Sequence, residues 1–155
     1  MSGFEVSRSI AAPIEEVFDA ATDLRSAPDR VSGIVELEVL TDGPVGAGTR
    51  FREKRIMFGK EATEEMEIQD FDPPNRYSVR AENHGCLYLS EFRFQEENDG
   101  TLVTFAFESK GLTTFAKIML VLTKPLMKTM IKCVVQDLDD IKAYMEGRPA
   151  KKVGG

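Results

Sequence analysis

The sequence predicts one α+β domain, a curved seven-stranded antiparallel sheet wrapped around a long C-terminal helix, with two short helices after strand one. Three observations carry this. From Ile34 to Ser109 the apolar residues recur with period two, in six runs separated by short turn signals, as half-buried antiparallel strands do. From Leu112 to Met145 the period changes to that of a helix with a wide apolar stripe. Helices and strands are therefore segregated along the chain rather than alternating, which is the α+β arrangement.

In strand one, Phe4, Val6 and Ile10 alternate with Glu5, Ser7 and Ser9. Ala11-Ala12-Pro13 closes it, and Pro13 suits the first turn of a helix, where a missing N–H costs nothing. Ile14, Val17, Phe18 and Ala21 form the apolar face of that helix, with Glu15 and Glu16 near its positive end. A second short helix or turn is expected from Leu24 to Arg30, and Gly33 breaks the chain. Strands two to seven follow at Ile34–Leu40, Thr49–Met57, Lys60–Phe71, Arg76–Glu82, Cys86–Gln95 and Thr101–Ser109. The segments between them, such as Asp42-Gly43-Pro44, Asp72-Pro73-Pro74-Asn75 and Asn98-Asp99-Gly100, have turn chemistry. Strand one must pair at an edge of this meander.

In the last long segment, Phe115, Met119, Leu122, Leu126, Met130, Val134, Leu138 and Ile141 share one side of a continuous helix, opposite Lys117, Lys124, Lys128 and Lys132. Pro125 removes one backbone donor, so a kink or break is expected near Leu122 to Pro125. Residues 1–147 form a single domain, and 148–155 are expected to be a disordered tail.

At 155 residues the chain can bury one substantial core, and its 30% charged and 42% hydrophobic residues are those of an ordinary globular protein. A net charge of −6 argues against a nucleic-acid partner, which selects a concentrated basic face. Cys86 and Cys133 read more simply as two free thiols than as a disulfide. No leader-like apolar run is visible near the first residues, and Ile118–Leu122 is too short to cross a bilayer, so a cytoplasmic location is expected.

His84 is the one histidine, which leaves no histidine-rich metal site, and no phosphate loop, dinucleotide fingerprint or nucleophile elbow is present. Neither metal nor cofactor is expected. His84 reads as a solvent-facing turn residue, with a general base at a pocket mouth as the alternative. Cys133, on the apolar side of the helix, reads as a small hydrophobe rather than a nucleophile. The lysine row reads as a solvated face, with transient contact to anionic lipid headgroups as the alternative. The apolar run Ile118–Leu122 supports that alternative, and a dimer interface or pocket lid would account for it equally well.

Three charged residues break the pattern of strands three and four. If Phe58-Gly59 is a two-residue hairpin loop, Met57 pairs with Lys60, Arg55 faces Ala62, Glu53 faces Glu64 and Phe51 faces Met66. The outer face then sets Arg52 against Glu65 and Arg50 against Glu67, a ladder of opposite charges. Glu53, Glu64 and Arg55 would enter the trough with Phe51 and Met66, as candidate ligand anchors or acid–base groups, and one carboxyl should titrate high. A bulge or longer turn would instead place both acids in water, because a one-residue slip reverses every side chain.

The segments SRSIAAPIEEVFDAATDL, GAGTRFRE, EIQDFDPPNRYSV, NDGTLVTFAFE and KPLMKTMIKCVVQDLDDIKAYMEG together resemble the START-like (SRPBCC) superfamily, with its birch-pollen allergen relatives and bacterial polyketide cyclase/dehydrase-like proteins. The resemblance covers about residues 3 to 147 and implies the helix-grip (Bet v 1-like) fold. It also implies a cavity between sheet and helix that takes lipids, polyketides or similar molecules, and it brings no shared catalytic residue.

The expected function is binding of a small hydrophobic ligand by a monomer or homodimer. The candidate lining comprises Phe51, Met66, Ile68, Tyr88, Phe92, Val103 and Phe105 from the sheet, and Phe115, Met119, Leu122, Leu126 and Met130 from the helix. A cyclase/dehydratase-type enzyme and a protein–protein interaction module are the alternatives.

Overall fold

Seven antiparallel strands form one sheet in the order β1-β7-β6-β5-β4-β3-β2. They are β1 (Ser2–Ile10), β2 (Ile34–Val39), β3 (Arg50–Met57), β4 (Lys60–Asp72), β5 (Arg76–Asn83), β6 (Cys86–Glu97) and β7 (Gly100–Gly111). The computed structural model describes residues 2–57 and 59–147, so Phe58 and the expected tail at 148–155 lie outside the described residues. Between β1 and β2 run helix α1 (Ile14–Thr22) and a 3-10 helix (Leu24–Asp29). After β7 come α2 (Thr114–Leu122), a 3-10 turn (Lys124–Leu126) and α3 (Met127–Met145).

Each predicted strand is present with its ends moved by a few residues, and β1 closes the sheet on β7 by pairing Ile10 with Thr101 and Phe4 with Phe107. The β3–β4 register is the one a two-residue loop dictates: Met57 opposes Lys60, Arg55 opposes Ala62, Glu53 opposes Glu64 and Phe51 opposes Met66. Gly59 in that loop has φ +74°, a left-handed conformation open to glycine at little cost. His84 and Gly85 both have positive φ between Asn83 and Cys86, which is the twist a two-residue hairpin turn needs. On the outer face Glu65 pairs with both Arg50 and Arg52, and Arg52 also reaches Glu38.

The core lies where α1 and the second half of α3 meet the concave face of the sheet. Ile10, Val17, Phe18, Ile68 and Leu138 are each at most 1% exposed. Phe18 meets Phe71, Tyr77 and Phe94 edge-on, with centroids at 5.4, 6.0 and 5.2 Å. The helix expected from Leu112 to Met145 breaks near Pro125, as its missing donor requires, and the 3-10 turn there advances the chain at about three residues per turn.

That break overturns one expectation. Phe115, Met119, Leu122 and Leu126 share a side with Met130 only if the 3.6-residue phase runs unbroken from Phe115 to Met130. It does not, and all four are exposed to solvent outside the trough. Helix α2 instead packs through its narrow side, with Ala116 buried against the β5–β6 turn at Gly85. Beyond the break α3 behaves as predicted, with Met130 and Val134 half-buried and Lys124, Lys128 and Lys132 in solvent.

Candidate functional site

Between the sheet, the segment from α1 to β2 and α3 lies a cavity of about 220 Å³. The strands supply Phe51, Met66, Ile68, Phe92 and Phe105, five of the residues expected there, and α3 supplies Met130. Alternation along each strand points these side chains to one face. Tyr77 and Phe92 stack with centroids 4.7 Å apart, and Phe105 meets Phe92 edge-on at 4.8 Å, so three rings form one wall. Val103 and Tyr88 stand elsewhere: Val103 is in the filled core, and Tyr88 stacks on Phe107 nearer the end of the sheet.

The cavity has one strongly polar corner. Glu53 and Arg55 point inward with Phe51, at 13% and 16% side-chain exposure, and bring charge into an otherwise apolar trough. Arg55 Nε donates to Glu53 Oε1 at 2.5 Å. Its other nitrogens meet Asp137 on α3, Nη1 at 3.3 Å from Oδ1 and Nη2 at 3.0 Å from Oδ2. One guanidinium thus ties the sheet to the helix through two carboxylates. Burial lowers the Arg55 pKa, but Asp137 and Glu53 raise it more, so Arg55 holds its proton more firmly than usual.

Asp137 was not among the expected site residues. The signal is present: Val134, Asp137, Leu138 and Ile141 follow the i, i+3, i+4, i+7 spacing of a buried stripe, with a carboxylate at the second place. Burial pushes its pKa up to about 6, Arg55 pulls down by charge and hydrogen bonds, and Glu53 and Asp140 push up again. Asp140, one turn from Gln136 and 1% exposed, has a different task. It accepts from Ser32 N at 2.9 Å, Ser32 Oγ at 2.7 Å and Gln136 Nε2 at 2.7 Å, fastening the loop before β2 to α3.

Glu64 opposes Glu53 in the register but is not a lining residue of the cavity. It lies beside Asn83, whose Nδ2 is 3.4 Å from Oε2. Its pKa is raised: burial contributes most, Asn83 and His84 oppose, and Glu53 adds repulsion. His84 is exposed on its turn. Cys133 lines the cavity, and burial with Asp137 nearby raises its thiol, which disfavours the thiolate a nucleophile needs.

Two further donors border the cavity. Tyr77 is 5% exposed, and its hydroxyl has no hydrogen-bond partner among the described residues. Burial, then the charges of Glu53 and Asp137, raise its pKa, so it stays a neutral donor. Arg30 lies under the Tyr144 ring at 5.5 Å and donates to Ser26 Oγ at 2.5 Å and to the Asp23 carbonyl at 2.6 Å. Its buried Nε has no partner among the described residues.

Met130 is half-buried and faces this open space. Its truncation to alanine should therefore cost less than the ~2–5 kcal/mol of a fully packed methionine, as equilibrium urea unfolding would show. A loss within that range would mean that Met130 is packed on all sides.

A curved antiparallel sheet gripping a C-terminal helix, with a cavity between them, defines the helix-grip class. The chain belongs to the polyketide cyclase/dehydrase and lipid transport family, whose model matches residues 1–146. Among solved structures it is similar to TTHA0849 from Thermus thermophilus, with TM-score 0.77 and 24% identity over 94% of this chain and 98% of that one. It is similar also to Ara h 8.0201, with TM-score 0.70 and 17% identity over 95% of this chain and 99% of that one. A third likeness is to the di-domain ARO/CYC StfQ from the steffimycin biosynthetic pathway, with TM-score 0.76 and 14% identity over 94% of this chain and 51% of that one. The chain thus spans about half of StfQ. No curated protein sequence matches the chain.

Proposed function

We propose that the chain binds a small, mainly apolar molecule bearing a hydroxyl group, in the cavity between the sheet and α3. The observation that carries this reading is the unpartnered Tyr77 hydroxyl, which borders an apolar space beside two carboxylates. The hydroxyl opens onto the cavity, since the buried unpartnered side-chain atom among the described residues is Arg30 Nε. A ligand hydroxyl that accepts from Tyr77 and donates to Glu53 or Asp137 takes the place of water there and is held in one orientation. The three-ring wall of Tyr77, Phe92 and Phe105 suits a flat, unsaturated body.

Size narrows the class. A cavity of about 150 Å³ holds benzene, and sites for drug-sized ligands run to about 300–1,000 Å³. At about 220 Å³ this one matches a molecule of one or two rings better than a long acyl chain. The family's description supports a small hydrophobic ligand in general.

A second reading, proton transfer of the cyclase/dehydratase kind, is favoured by Asp137, whose pKa near 6 lets it exchange a proton close to neutrality. Arg55 already holds both of its oxygens, so binding comes first.

The test compares 2-naphthol with naphthalene by calorimetry, on the wild type and on Tyr77→Phe. The wild type should prefer 2-naphthol, and the variant should lose about 2- to 10-fold of that preference, the worth of one ordinary hydrogen bond. Failure of both probes to bind, or an equal preference in both proteins, would overturn the reading.

A further inference from the structure

Most of the exposed large apolar side chains among the described residues cluster on α2 and its flanks. Phe115, Val121 and Leu122 are 71%, 69% and 68% exposed, and Ile118 is 54% exposed. Phe115, Ile118, Met119 and Leu122 follow the spacing of one helical stripe, so they form a continuous ridge, which Leu126 extends past the break. Scattered exposed apolar residues are ordinary, but a whole exposed stripe is not. The fold does not require it either, since α2 is anchored through Ala116 and capped by Thr113, whose Oγ1 accepts from the Ala116 N–H.

Charge separates in the same place. From Ser109 to Gln136 the sequence holds Lys110, Lys117, Lys124, Lys128 and Lys132 and no carboxylate. All five lysines are exposed. The chain carries −6 overall and this stretch +5, which leaves −11 for the rest. An exposed apolar ridge followed by a cationic turn is suited to lie in the headgroup region of an anionic bilayer. Each lysine close to such a surface contributes about fivefold in affinity. A second copy of the chain fits the ridge worse, because a two-fold contact there would bring Lys124 and Lys128 of both copies together.

We infer that α2 and the turn after it dock this protein onto an anionic membrane surface. Contact is by lying on the bilayer, since among the described residues no helix is long and apolar enough to cross one. Phe115, Ile118 and Leu122 enter the acyl boundary, while Lys124 and Lys128, just past the end of α2, meet the headgroups. The −11 of the remaining chain is repelled by the same surface, which sets the orientation with α2 foremost. The inference stands on this surface alone and is independent of what the cavity holds.

The chain contains no tryptophan, so Phe115→Trp places a single reporter on the ridge. Its emission should shift to the blue with vesicles of mixed phosphatidylcholine and phosphatidylglycerol, far less with phosphatidylcholine alone, and the shift should fade as salt is raised. Co-sedimentation of the wild type with the mixed vesicles should be abolished by Leu122→Glu, a change at an exposed position that leaves the fold intact. It should weaken about 25-fold in Lys124→Ala/Lys128→Ala. Three results would each overturn the inference. These are no binding to the anionic vesicles, binding that Leu122→Glu leaves unchanged, and a solution dimer that Leu122→Glu dissociates, which would make a second copy the occupant of the ridge.

Discussion

Replacing Phe18 with alanine should destabilise the protein by about 3–5 kcal/mol, the cost of deleting a fully enclosed phenylalanine. The ring is 1% exposed and stands edge-on to Phe71, Tyr77 and Phe94, so its removal takes an apolar surface and three aromatic contacts together. Relaxation cannot close the gap cheaply, because those three rings belong to strands held on both sides by the sheet. Phe18→Leu keeps most of the volume and should cost markedly less. The effect should reach the cavity as well, since Tyr77 is backed by Phe18 on one side and stacked on Phe92 on another. Phe18→Ala should thus also weaken the preference for 2-naphthol over naphthalene, whereas a core deletion remote from Tyr77 should not. Equilibrium urea unfolding measures the first effect and calorimetry the second. A stability loss under about 1 kcal/mol would mean that the helix–sheet contact is not the packed centre of the fold.

The sheet was legible in the sequence because its period is an integer. If two residues join Met57 to Lys60, one pairing of Glu53, Arg55 and Phe51 with the next strand follows, and every side chain's face with it. A bulge is the other reading, and the register is that of the two-residue loop. A helix has no such property. The facing of Phe115 and Met119 depends on phase accumulated over several turns, and a single 3-10 turn at Lys124–Leu126 discards it. The wheel therefore located α3 correctly and turned α2 the wrong way.

The polar corner shows a second limit. Glu53 and Arg55 could be read as inward from their strand alone, since Phe51 shares their face. Asp137 lies far from them in sequence, and what joins it to them is the rotation of α3 about its own axis. A carboxylate at the edge of an apolar stripe is ordinarily solvated, and only the guanidinium waiting beneath it makes this one a buried partner. In the sequence Tyr77 is one aromatic among many. Its distinction, a hydroxyl without an acceptor, belongs to the space around it and not to the residue.

The removal of Arg55 is expected to be as costly as that of Phe18, and its cost should depend on pH. Arg55→Ala leaves Glu53 and Asp137 facing one another without the cation both were paired with, and breaking a buried pair in this way typically costs about 3–5 kcal/mol. In the wild type Asp137 titrates near 6, above the ordinary aspartate value near 3.8. Folding therefore tightens its hold on a proton, and the stability from that proton is complete below about pH 4 and lost as pH rises through 6. It amounts to about 3 kcal/mol. Arg55 is among the groups holding this pKa down, so in Arg55→Ala it should climb further and the loss should continue toward neutral pH. The gap in stability between wild type and variant should thus be smallest in acid, where Asp137 is neutral in both, and widest above about pH 7. Asp137→Asn in the Arg55→Ala background removes one of the opposed carboxylates and should recover part of the neutral-pH loss. Urea titrations from about pH 4 to 8 on the three proteins measure this. A gap that is the same at every pH, or one below about 1 kcal/mol throughout, would show that the pair is solvated and does not hold the helix to the sheet.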